Sequence, residues 1–296
     1  MKALEMEGRV RSPGNSSVFF ASLCVSLRFA AAAFLMALWT LPNLSMLSRK
    51  ELKQGVGLGI FGGLGLVLQM DAMAYTNAST CAFLTQGYCI WLPLWFSIRQ
   101  KTIPHKRVLI ASLLVVIGTA ILAGLDADTM SIGRGELETL LGSILFACQI
   151  LWLEREEFRG NNVYRFSTMM FASMSLISIP ICLFSAQNTR DLWFTYGSIT
   201  ALTQISILVV LCSLISFSLA NRWQPEVPAT EAGLLYSTEP VFTAFVSLFL
   251  PGILSSFSGV QYPNEKITFN LILGGGLILT ANILLQKAKS RPVPEV

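Results

Sequence analysis

The sequence predicts an all-α polytopic membrane protein, and three observations carry that prediction. Only 13% of its 296 residues are charged and 53% are apolar, against about a quarter charged in soluble domains. Apolar stretches close to the roughly twenty residues that cross a bilayer as a helix recur at 18–41, 54–75, 78–98, 108–124, 136–153, 166–186, 198–220, 229–250 and 268–286, which makes nine transmembrane helices. The connections between them are short and polar, and none has the composition of a soluble domain.

Residues 1–17 read as a polar amino-terminal tail. The first span, Val18 to Leu41, is too long for a cleaved signal peptide and carries Arg28 near its centre. In the second span Gly55, Gly59 and Gly63 recur every four residues, the small-residue pattern that lets helix backbones approach. Gly57-Leu-Gly59-Ile-Phe-Gly62 matches GxGxxG in form, but no strand precedes it and no acidic residue follows about twenty positions on. These glycines are expected to pack helices, not to hold a dinucleotide. No GxxxxGK[ST] is present, so no P-loop is expected. The connection Asp126–Gly135 is acidic and turn-like, and Pro251–Lys266 is rich in Gly, Pro and Ser.

The stretch Ala229–Leu250 draws the functional reading because Glu239 and Pro240 lie inside it. A carboxylate at the centre of a spanning helix costs about 2.5–3.5 kcal/mol on insertion scales and usually faces a cavity. Tyr236, Glu239, Thr243 and Ser247 are spaced three, four and four, so on a continuous helix they form one polar, pore-facing stripe. Pro240 removes an amide hydrogen and is expected to kink that helix beside the carboxylate. Arg28, about 15 Å from its helix end at 1.5 Å per residue, needs a partner, and Glu239 or Asp71 could supply it. A purely structural ion pair is the competing reading. Gln86, Tyr88, Trp91 and Gln149, together with Gln69, Trp152, Gln204 and Asn282, would line the cavity or make interhelical hydrogen bonds.

Other chemistries find little support. The six cysteines lie in apolar spans without CxxC spacing, and the lone histidine, His105, stands among Lys101, Lys106 and Arg107. No metal site, no cofactor and no catalytic residue is expected, and a membrane-embedded enzyme is the least favoured class. The net charge of +4 is spread over the connections, so the expected partners are the lipid bilayer and a small-molecule substrate, with no nucleic acid. Oligomeric state stays open, a homodimer included.

Counting Lys and Arg on alternate connections puts fourteen on one side and six on the other, so the carboxyl terminus is expected in the cytoplasm of a cell with this protein in its inner membrane. An odd helix count then puts the basic amino-terminal tail outside. Self-similarity joins Ala78-Ser-Thr-Cys-Ala-Phe-Leu84 to Ala229-Thr-Glu-Ala-Gly-Leu-Leu235, with following connections that end at Gln100-Lys101-Thr102-Ile103-Pro104 and Asn264-Glu265-Lys266-Ile267-Thr268. By the charge count those connections lie on opposite sides, the arrangement of inverted repeats in secondary transporters.

With Leu27-Arg28-Phe29-Ala30-Ala31, Ala74-Tyr75-Thr76-Asn77-Ala78-Ser79, Glu239-Pro240-Val241-Phe242 and Glu265-Lys266-Ile267-Thr268 in this order, the chain resembles the EamA-type branch of the drug/metabolite transporter superfamily from about Val18 onward. The resemblance implies two inverted five-helix repeats, a central substrate cavity, both termini in the cytoplasm, and export of small polar or amphipathic metabolites by alternating access. It divides the chain into the tail at 1–17, a first repeat at 18–124 with four helices, a second at 136–286 with five, and a cytoplasmic tail at 287–296. The Leu-Arg-Phe signature belongs to the family's second helix, so the family's first helix, with its Trp-Gly motif, is missing from the first repeat. Charge bias and repeat arithmetic both call for an apolar segment of about twenty residues before Met1. A truncated relative that no longer transports is therefore the alternative reading. Lys101 stands where the second repeat has Glu265, which breaks any symmetric role at that position.

Overall fold

The structure is a computed structural model, and it describes residues 2–76, 78–101, 103, 106–122, 133–258, 264 and 266–289. All regular structure among them is helical: α1 (Lys2–Arg11), α2 (Ser17–Leu44), α3 (Arg49–Ala72), α4 (Ala78–Thr85), α5 (Tyr88–Gln100), α6 (Lys106–Leu122), α7 (Arg134–Leu153) and α8 (Val163–Ser185) build the first part. There follow α9 (Asp191–Phe194), α10 (Ile199–Ile207), α11 (Ser216–Trp223), α12 (Ala229–Tyr236), α13 (Glu239–Ser247), α14 (Leu250–Ser258) and α15 (Phe269–Lys289). Among the described residues six segments are long and apolar enough to cross a membrane: Ser17–Pro42, Arg49–Ala72, Cys81–Arg99, Arg134–Leu153, Val163–Ser185 and Ile199–Glu226. The protein is thus a multi-pass helical membrane protein. Of the nine stretches expected, α6 has 17 residues, just short of that length, while 229–250 is not one helix but parts of three.

The best-packed part of the bundle is α2, α3, α7 and α8. Phe29 stacks on Phe171 at 5.8 Å between ring centres, and Phe19, Met170 and Met174 are completely buried beside them. The α3 glycines let its backbone close on α8: a Cβ on Gly59 would stand 2.4 Å from Ser173 Cβ and 2.8 Å from the Met170 carbonyl oxygen. Gly57 and Gly62 serve α7 in the same way, with added Cβ atoms 2.3 Å from Trp152 and 2.6 Å from Gln149. Large apolar side chains such as Phe34, Trp39, Phe184 and Trp193 instead point outward. That is costly in water and favourable in lipid.

The polar ends of the helices sort into two groups. At one end Lys53 meets Glu157 at 3.0 Å and Arg165 meets Glu51 at 3.0 Å. Ser48 caps α3 reciprocally with Glu51, which also accepts from the Asn162 amide at 2.9 Å. Lys53, then Arg155, holds the exposed Glu157 carboxyl below its usual range. At the opposite end Arg134 meets Asp71 at 2.7 Å, the Ser17 and Tyr75 hydroxyls meet at 2.9 Å, and Asn15 donates to Asp191 at 2.8 Å. Arg155 and Arg165 therefore share the end of Lys53, and Arg134 the other, the same division that the charge count makes.

Residues 1–17, read from the sequence as a polar tail, hold α1, which is docked and not dangling. Leu4 is completely buried; Glu7 accepts from the hydroxyls of Ser198 and Thr200 at the start of α10; and the Ser12 and Thr195 hydroxyls meet at 2.8 Å. The polar residues of this segment are spent on caps and on α9–α10, which composition alone does not reveal.

Candidate functional site

Two helix breaks define the site. α4 ends in tight turns, with the Gln86 amide on the Phe83 carbonyl at 3.1 Å and the Gly87 amide on the Leu84 carbonyl at 3.0 Å, before α5 restarts at Tyr88. α12 ends the same way, with the Thr238 amide on the Leu235 carbonyl at 3.1 Å, and α13 restarts at Glu239. This corrects the expectation of one kinked helix with a continuous stripe. Pro240 sits in the first turn of α13, where its missing amide hydrogen has no helical acceptor to lose. α4 follows directly on the Asp71 end of α3, whereas α12 begins where the Ala229 amide meets Glu154, just past the other end of α7. Two helices of eight residues thus enter from opposite ends of the bundle and both stop inside it.

Between them lies a cavity of about 720 Å³. Of the expected site residues it gathers Arg28, Gln69, Tyr88, Gln149, Tyr236 and Glu239. Glu239 opens onto the space; among the described residues its carboxylate receives no hydrogen bond and no ion pair. Arg28, buried in α2, donates through Nε to Ser213 at 2.7 Å and through Nη2 to the Cys212 carbonyl at 2.8 Å. Both acceptors lie where the Ile199–Glu226 span widens to i→i+5 bonding over Leu208–Ile215, the Ser216 amide reaching back to the Leu211 carbonyl. Such widened turns occur often at functional sites. Among the described residues no ion pair joins Arg28 to Glu239 or to Asp71, the two partners considered for it, and Asp71 is paired with Arg134 instead.

Four expected cavity residues lie elsewhere. Asp71 is bound by Arg134, not by Arg28. Gln86 is buried and accepts from the Tyr88 hydroxyl at 2.8 Å, so it positions Tyr88 from behind. Trp91 donates to Ser143 at 2.9 Å, an interhelical tie between α5 and α7. Thr243 is exposed one turn along α13, outside the cavity. Trp152 and Gln204 also turn away, to the Gln54 carbonyl at 3.2 Å and to Glu7 at 3.5 Å. The side chains of Ser247 and Asn282, and all of Glu265 and His105, lie outside the described residues.

Sequence reasoning missed Thr85, Asn221 and Gln224, which line the cavity. Asn221 donates to Ser167 at 2.9 Å, and Gln224 bridges the Tyr236 hydroxyl at 2.9 Å and the Ile150 carbonyl at 3.2 Å. Ser213, Phe217, Asn221 and Gln224 recur at four, four and three residues, so a helix carried past residue 220 puts all four on one face. Carboxamides, phenols and the faces of Phe146 and Phe217 suit a small organic molecule with polar groups and an apolar part, and Glu239 adds one open carboxylate.

No family model matches the chain, and no curated protein matches it. Solved structures do. One, a crystal structure described only as "Crystal structure of protein", superposes with a TM-score of 0.66 over 98% of this chain and 96% of its own, at 12% identity. At that identity the likeness is one of fold.

Proposed function

We propose that this protein is a secondary transporter of the EamA-type branch of the drug/metabolite transporter superfamily. It moves small polar or amphipathic metabolites outward by alternating access. The observation that carries this reading is the roughly 720 Å³ cavity between two helix breaks approached from opposite ends, because transporters built from inverted repeats place substrate where discontinuous helices meet near the midplane. In this reading 18–124 and 136–286 are the two repeats, the chain crosses the inner membrane nine times, and the carboxyl terminus is cytoplasmic. Glu239 and the carboxamides supply polar contacts while the aromatic faces hold the apolar part. Direction follows from the family resemblance.

The test is reconstitution of the full chain in vesicles and a screen of labelled amino acids, amines and nucleoside metabolites. Saturable movement of at least one compound without ATP, abolished or altered in specificity by Glu239→Gln, is expected. No movement above protein-free vesicles across the panel, or unchanged transport by the variant, would overturn the proposal.

A further inference from the structure

The Asp71 side chain is almost completely buried, yet only one of its oxygens is engaged: Oδ2 accepts from Arg134 Nη2 at 2.7 Å. Arg134 Nε is taken by Glu138 Oε1 at 2.6 Å. The arginine thus clamps two carboxyl groups, from α3 and α7, with two different nitrogens. Held on two nitrogens of one guanidinium, the two carboxyl groups lie side by side. Their remaining oxygens, Asp71 Oδ1 and Glu138 Oε2, are both buried and both lack a hydrogen-bond partner among the described residues.

Two ionised carboxylates would be acceptor-only there, and a buried acceptor left unmade costs about 1–3 kcal/mol, more when charged. A proton on one acid relieves this, since that acid then donates and its neighbour accepts. It also brings the cluster of one half-exposed guanidinium and two largely buried carboxylates to neutrality. We infer that Glu138 and Asp71 form a proton-binding site in which Glu138 carries a single proton and donates it to the Asp71 carboxylate. Among the described residues, the other titratable groups around it are few. Arg134 faces both acids and lies over the Tyr75 ring at 4.4 Å; the Tyr75 hydroxyl meets Ser17; Glu136 is turned to the Gly133 amide at 2.9 Å; and Cys81 of α4 lies beyond Thr139. The site is at the Asp71 end of the bundle, apart from the cavity, and it stands whether or not the cavity carries a substrate.

Infrared spectroscopy of the full chain in detergent reads this directly. The expected result is a protonated-carboxyl band near neutral pH that is lost as pH rises, and is missing from both Asp71→Asn and Glu138→Gln. Glu138→Gln is expected to keep the fold, because its amide can donate to the Asp71 carboxylate as the protonated acid does, so it decides the matter if Asp71→Asn does not express. Spectra of the unmodified protein and Glu138→Gln that coincide in that band would overturn the inference. So would the absence of any such band from the unmodified protein.

Discussion

Arg28 and Glu239 show how a sequence can nominate the right residues and the wrong relation between them. Both line the cavity, but Arg28 donates to the Ser213 hydroxyl and the Cys212 carbonyl. Removing a charged donor from such bonds costs about 1.5–3 kcal/mol. Arg28→Ala should lower stability by that order and Glu239→Gln by little, since among the described residues its carboxylate makes no hydrogen bond or ion pair to lose. With no ion pair between them the double variant should be additive within about 0.5 kcal/mol. Thermal unfolding in detergent checks this: a double variant more stable than Arg28→Ala alone would reveal an ion pair after all.

Helix α3 owes its position to what its glycines lack. Gly59→Ala would put a methyl 2.4 Å from Ser173 Cβ and 2.8 Å from a backbone oxygen, so α3 and α8 must part, at about 1–3 kcal/mol for overpacking. Gly276 of α15 has nothing within 4 Å of an added Cβ. There Gly276→Ala should be neutral or stabilise by up to about 1 kcal/mol through helix propensity alone. Melting temperatures that fall for both variants, or for neither, would contradict this contrast. The four-residue glycine spacing made the α3 face legible in advance, whereas the break of 229–250 was not. Ser237 and Thr238 are ordinary inside an apolar run, and Pro240 is as compatible with a kink as with the first turn of a new helix.

The end of the bundle that carries Lys53 and Arg165 is predicted to be cytoplasmic, and the end that carries Arg134 and Asp191 external, because basic connections stay on the cytoplasmic side. Single cysteines in place of Arg159 and Arg190, in a chain freed of its six native cysteines, allow a test with a membrane-impermeant thiol reagent on intact cells. Labelling is expected at 190 and not at 159; the reverse pattern would invert the orientation.

The sequence by itself determined the class of this protein and the partition of its ends. Apolar runs, sparse charge and uneven Lys and Arg are properties of residue order and composition, and the bilayer reads them without reference to contacts. It also determined that Glu239 and Arg28 were worth watching, since a charge in an apolar run demands compensation wherever the run ends up. Only the tertiary structure decided what that compensation is. Whether Arg28 meets Glu239, Asp71 or a backbone carbonyl depends on how helices far apart in the chain rotate against one another. Their rotation is set by close packing, down to single methyl groups at Gly57 and Gly59. Asp71 was nominated for the cavity and was found clamped by Arg134, sixty-three residues on, because α3 and α7 pack side by side. No local pattern in the sequence encodes that pairing.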